Sequence, residues 1–186
     1  MKTLTLFGAG LIGMIALPAQ AEDAFIFKGG MFNLARDPQI INDVERDFDE
    51  NGDDVYAFAW EKRRRDEVAL GVEYVRFTHD WRSTGARGSA KSRTILFTVK
   101  RYQDTGTLLY PFVGVGVGLA HADLSSMPFD SALGLALQLS AGAEWRWPIF
   151  GLYAEIKGLY GNPGEIYGDD YSSSGIGAFG GFTFRF

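Results

Sequence analysis

The last thirteen residues, Ser174-Gly-Ile-Gly-Ala-Phe-Gly-Gly-Phe-Thr-Phe-Arg-Phe186, decide the fold. Apolar Ile176, Ala178, Gly180, Phe182, Phe184 and Phe186 alternate with small or polar Gly177, Gly181, Thr183 and Arg185. Alternation with period two puts the two sets on opposite faces of a strand. A soluble protein would hide the apolar face against a second layer. An apolar outer face backed by a wet inner one is instead the pattern of a transmembrane β-strand.

The opposite end agrees. Lys2 precedes an apolar run from Leu4 to Leu17, and Pro18, Ala19, Gln20 and Ala21 follow it. A basic start, an apolar core and an Ala-x-Ala site read as a removed signal peptide over residues 1–21. The run is shorter than the roughly 20 residues a spanning helix needs.

Without those residues the chain loses one cation, Lys2, which leaves 17 Lys+Arg against 23 Asp+Glu, a formal charge of 17 − 23 = −6. That balance argues against nucleic acid as a partner. Cysteine is absent, so disulfides, thiolate metal sites and a nucleophilic thiol are excluded.

Alternation and turn signals place eight strands at roughly 24–34, 54–62, 67–79, 92–101, 108–120, 132–146, 152–160 and 174–186. Long polar connections (35–53, 80–91, 121–131, 161–173) alternate with short ones (63–66, 102–107, 147–151). This is the loop arrangement of a single-chain barrel with an even strand number. The expected fold is all-β, an eight-stranded antiparallel up-and-down transmembrane barrel over residues 22–186 with four long extracellular loops. Aromatic belts are expected at Trp145, Trp147, Phe150, Tyr110, Phe184 and Phe186 below and at Tyr160, Tyr167, Phe77 and Trp81 above.

If the apolar parity faces lipid, the lumen receives Lys28, Glu61, Glu67, Glu73, Lys100, Glu144, Arg146, Glu155, Lys157 and Arg185, five acids and five bases. An eight-stranded barrel is just wide enough to be filled by side chains. Buried charges persist when paired. A plugged lumen without a through-pore follows.

Three features carry a resemblance: the signal peptide, the strand Tyr110-Pro-Phe-Val-Gly-Val-Gly-Val-Gly118, and the terminal Gly180-Gly-Phe-Thr-Phe-Arg-Phe186. The chain resembles the small outer-membrane β-barrels of Gram-negative bacteria, the OmpX-like, OmpA membrane-domain-like and opacity-type proteins. The resemblance implies an outer-membrane location with extracellular loops and periplasmic termini. The terminal Phe looks like the signal read by the outer-membrane insertion machinery. Lipid and lipopolysaccharide are the implied surroundings, and a monomer is expected because a closed barrel leaves no strand edge unpaired.

The loops hold the remaining candidates. Asp47-Phe-Asp-Glu-Asn-Gly-Asp-Asp54 matches positions 1, 3, 5 and 6 of a calcium loop, but Phe58 stands where the bidentate Glu belongs. Weak calcium binding by Asp47, Asp49, Asn51 and Asp53 is the most it predicts, and no other cofactor is expected. Together with Glu165, Asp169 and Asp170 this loop would make an acidic outer surface. Arg82, Arg87, Lys91 and Arg93 form a basic second loop suited to lipopolysaccharide phosphates. Some barrels of this size remodel lipid A, and His79, Asp80, Ser83, His121, Asp123 and Ser125 would be the outer-rim candidates for such a palmitoyltransferase. No amphipathic helix precedes the first strand, and no His-x-Ser-Asn is present.

The expected function is therefore non-enzymatic: a closed outer-membrane barrel displaying loops for an external ligand or for envelope integrity. The alternatives are an OmpW-like conduit for small hydrophobic solutes, with Phe32 and Leu159 lining an upper pocket, and a lipid A-modifying enzyme.

Overall fold

The computed structural model describes residues 22–34, 53–64, 67–83, 86–124, 131–162, 164–166, 169–171 and 174–186. Residues 1–21, expected from the sequence to be a signal peptide, lie outside them. The described residues form ten strands: β1 (Glu22–Leu34), β2 (Asp53–Arg63), β3 (Val68–Ser83), β4 (Ala86–Tyr102), β5 (Leu109–Leu124), β6 (Ser131–Arg146), β7 (Phe150–Asn162), β8 (Gly164–Ile166), β9 (Asp169–Tyr171) and β10 (Gly175–Arg185). Eight of these close into an antiparallel barrel in the order β1-β10-β7-β6-β5-β4-β3-β2, and β8 pairs with β9 as a small separate hairpin. No helix occurs among the described residues.

Closure is made by β1, which pairs with β10 from Ala24↔Arg185 to Leu34↔Gly175 and with β2 from Glu22↔Arg63 to Phe32↔Asp53. Every barrel strand is thus bonded on both sides, which satisfies its backbone without water. The described ends of the chain, Glu22 and Phe186, sit together at the end of the short turns, here called the lower end. The connection 35–52 leaves from the upper end.

Alternation sorts the side chains as the sequence predicts. On β7 exposed and buried positions alternate from Phe150 to Asn162. On β6 Leu135 and Leu139 are each 68% exposed, whereas Ala136, Gln138, Ser140 and Glu144 are buried. The large apolar side chains of the outer wall, among them Val113, Val115, Ile156, Ile176 and Phe182, are exposed, while lysines and glutamates are inside. Water would penalise this inside-out arrangement, and a hydrocarbon surround favours it.

The structure corrects three expectations. The stretch 80–91 is largely strand, because the β3–β4 ladder continues through Thr78↔Lys91 to Ser83↔Ala86. Its sequence loses alternation because hydrogen bonding between two strands continues where neither face needs to be apolar. Phe77 does not join the upper aromatic belt. It shares the parity of Glu73 and Val75 and lies buried in the lumen. Tyr110 likewise leaves the lower belt, packing half-buried against the inner cluster that contains Phe112. Trp145, Phe150, Phe184, Phe186 and Tyr160 are exposed on the outside. Trp145 stacks on Trp147, and Trp147 on Phe150, at 6.0 and 4.8 Å between ring centroids. The Trp81 and Tyr167 side chains lie outside the described set.

Candidate functional site

The inward parity of six strands brings four carboxylates and four cations into one interior. Lys28 comes from β1, Glu61 and Arg63 from β2, Glu73 from β3, Lys100 from β4, Glu144 from β6, and Glu155 and Lys157 from β7; all eight are buried. Isolated, each would be costly when buried to this degree, and in neutral groups the cost is offset by pairing and hydrogen bonding.

The lower group centres on Glu61. Lys100 Nζ lies 2.6 Å from Glu61 Oε1, and the Tyr102 hydroxyl donates to Oε2 at 2.8 Å. Arg63 Nη2 donates to Glu61 Oε2 at 3.2 Å and to the Tyr102 oxygen at 3.1 Å, while Nη1 reaches Glu144. Arg63 and Arg146 each lie over the Tyr102 ring, at 4.7 and 4.5 Å from its centroid. The upper group centres on Glu73. Lys28 Nζ is 2.5 Å from Glu73 and 2.7 Å from Glu155; Lys157 also bridges to Glu73 and lies 3.6 Å from Glu155. Gln138 donates to the second Glu73 oxygen at 3.2 Å.

Tyr153 joins the groups. Its hydroxyl accepts from Lys100 at 2.8 Å, and the Lys28 and Lys100 ammonium groups each lie 5.1 Å from its ring centroid. β5 supplies the space. A Cβ at Gly114 would stand 2.7 Å from Lys100 Cγ and 2.9 Å from Ser140 Oγ, so the bare backbone is what admits the Lys100 stem. Towards the upper end the charges meet an apolar layer in which Phe32 stacks on Phe77 at 4.9 Å, together with Val55, Val75, Leu96, Leu159 and Phe179. Among the charges themselves, Ile26, Ala59, Ala69 and Phe112 pack with Tyr102 and Tyr153. The lumen is capped above by the apolar layer and carries charge from there down to the lower mouth.

The sequence-derived lumen set fares unevenly. Glu67 is not part of this cluster. Its φ of 66° turns it out of the strand register just before β3, where its carbonyl accepts the Tyr102 N–H at 2.9 Å. Arg146 sits at the lower mouth, 3.0 Å from Glu144, and Arg185 pairs at 3.7 Å with Glu22 on the rim. Arg63, read from sequence as a turn residue, is central. Its signal was present, since it lies two residues beyond Glu61 on the same parity. Tyr102 and Tyr153, also missed, carry no charge and escape a count of acids and bases.

The loop candidates divide by location. Asp47, Asp49 and Asn51 lie outside the described residues, and Asp53 opens β2 opposite Phe32. Glu165 and Asp170 are register partners in the β8–β9 hairpin, and Asp169 pairs with Ile166. Arg82 and Arg87 are register partners in the β3–β4 ladder. Lys91 and Arg93 share the outer face of β4, and Arg93 Nη1 is 3.0 Å from Asp123, a residue His121 approaches at 3.5 Å. His79, Asp80 and Ser83 belong to upper β3, and Ser125 lies outside the described residues. Among the described residues His121 makes no hydrogen bond to a hydroxyl, and no group of three or more acidic, His or Cys side chains is placed to hold a metal.

No protein-family model and no curated protein matches the chain. Solved structures do. Neisserial surface protein A is 13% identical with a TM-score of 0.65, covering 89% of this chain and 97% of its own. The outer membrane protein OprG from Pseudomonas aeruginosa is 15% identical at a TM-score of 0.58, covering 89% and 96%. Ail, the attachment invasion locus protein of Yersinia pestis, solved with the heparin analogue sucrose octasulfate, is 14% identical at 0.50, covering 90% and 99%. The fold is that of the small outer-membrane β-barrels. At such identities the likeness is one of architecture, and the plug has to be read from this chain's own residues.

Proposed function

We propose that the chain is an integral outer-membrane barrel without enzymatic activity, its lumen closed and its upper connections displayed at the cell surface for ligand contact or envelope integrity. The observation that carries this reading is the neutral cluster across the lumen. A solute travelling along the axis would have to break ion pairs that join opposite walls, then part the Phe32–Phe77 stack. The exposed apolar wall supports membrane residence, and the clustering of the described ends with the short turns supports a periplasmic lower end. The conduit alternative needs Phe32 and Leu159 to line an open pocket, whereas both are buried in one packed cluster.

The test is to refold the mature chain in detergent and record circular dichroism and planar-bilayer conductance on one sample. A β-rich spectrum without conductance is expected. A steady conductance would overturn the closed-lumen reading.

A further inference from the structure

Two adjacent rows run across the outer wall. The upper is Gly180–Gly29–Tyr56–Arg76–Arg93, each residue the register partner of the next through β10, β1, β2, β3 and β4. The lower is Phe182–Phe27–Phe58–Tyr74–Ile95. Because Gly29 and Gly180 have no side chains, the aromatic residues around them leave an open apolar groove of about 480 Å³. The upper row climbs as it goes. Gly180 stands six residues from the lower-end Phe186 (186 − 180), and Arg93 nine from Tyr102 (102 − 93). The groove therefore starts in the middle of the apolar wall and leads towards the upper border.

Two arginines stand side by side at that border. Like charges directly opposite on neighbouring strands repel. Arg93 has Asp123 at 3.0 Å. Arg76 lies over the Tyr56 ring at 5.7 Å, its Nε buried without a hydrogen-bond partner. With Lys91 on the same face of β4, three cations meet one carboxylate among the side chains described there.

We propose that this face holds one molecule of a phosphorylated glycolipid of the lipid A type, an acyl chain lying over Gly29 and Gly180 and a phosphate monoester set between Arg76 and Arg93. Two guanidinium groups carried on register partners match a dianionic monoester better than the single charge of a phospholipid diester. Guanidinium groups also bind phosphate in forked pairs. The assignment rests on the outer-membrane reading above and adds an identified lipid and seat to it.

The refolded full chain, with its barrel confirmed by heat-dependent gel mobility, is incubated separately with lipid A, with enzymatically dephosphorylated lipid A and with phosphatidylglycerol, and retained lipid is counted by native mass spectrometry. One lipid A per barrel is expected. Arg76→Ala with Arg93→Ala should lower retention at least about tenfold, since hydrogen bonds to charged groups are each worth that much or more. Gly29→Leu fills the groove and should do the same. The nearest atom to a Cβ there is 3.9 Å away, so the backbone accommodates it. Equal retention of phosphatidylglycerol or of the dephosphorylated lipid, or undiminished binding by both variants, would overturn the proposal while a mobility shift still upholds the barrel. Absence of the shift in the unmodified chain would count against the outer-membrane reading itself.

Discussion

Arg63 and Glu144 face each other from β2 and β6, which are diametrically opposite in the barrel, with Arg63 Nη1 at 2.8 and 3.2 Å from the two carboxylate oxygens. Glu73 and Lys157 make a second such bridge, from β3 to β7. Each ties together walls that the strand ladder connects only by going halfway round the circumference. Removing one partner strands the other, and breaking a buried pair in this way costs about 3–5 kcal/mol. Glu144→Gln still leaves Arg63 its Glu61 contact, so its loss should fall near the lower end of that range. Glu73→Gln, which leaves both Lys28 and Lys157 short of a counter-charge, should fall near the upper end. Urea titration of the folded protein in lipid vesicles measures both, and equal stability of both variants and the parent would refute the view that these bridges hold the walls together.

The apolar layer above the charges makes a separate contribution. Phe77→Ala removes a fully buried ring stacked on Phe32 and should lower stability by about 3–5 kcal/mol. It should not create conductance, because the charged layer beneath is intact. If Phe77 instead belonged to an outer belt, the loss would be small. Urea titration paired with planar-bilayer recording separates the two placements, and a channel opened by this one change would show that the stack, not the ion pairs, is the seal.

Parity made much of this legible in advance. Once Leu135 and Leu139 face outward, Glu144 must face inward, and the same count gives Lys28, Glu61, Glu73, Lys100, Glu155 and Lys157. Phe77 and Arg63 show the rule being set aside in favour of residue type: an aromatic near a strand end suggested a belt, and an arginine next to a turn suggested solvent. Glu67 shows the opposite failure, since one residue with positive φ ends an alternation that the sequence pattern carries on. Which acid meets which base was not legible. Partners come from strands far apart in the chain, as with Lys28 and Glu155, and their meeting depends on how the register staggers around the barrel.

The outer wall should report its depth. Leu139 lies in the interior of β6 and Leu133 near its upper end, both exposed. An arginine on the lipid face costs about 2–4 kcal/mol at the bilayer midplane and about 0–1 near the interface. Leu139→Arg should therefore lower stability in vesicles much more than Leu133→Arg. In a soluble barrel the two would behave alike, so equal and small effects would remove the membrane assignment of this face.

Glycines give a graded test of how tightly the plug is fitted. At Gly114 a methyl would stand 2.7 Å from Lys100 Cγ, and that stem has little freedom because its ammonium is fixed by Glu61 and Tyr153. At Gly116 the nearest contacts are 3.2 and 3.3 Å, to Thr98 and Gln138 side-chain carbons, and at Gly158 on the outer face nothing lies within 4 Å. Overpacking typically costs about 1–3 kcal/mol, whereas Gly→Ala at an unstrained open position stabilises by about 0.4–1 kcal/mol through the unfolded chain. The expected order of stability is Gly158→Ala above the parent, Gly116→Ala slightly below it and Gly114→Ala lowest. A Gly114→Ala variant as stable as Gly158→Ala would mean that Lys100 does not cross the lumen beside β5 to reach Glu61.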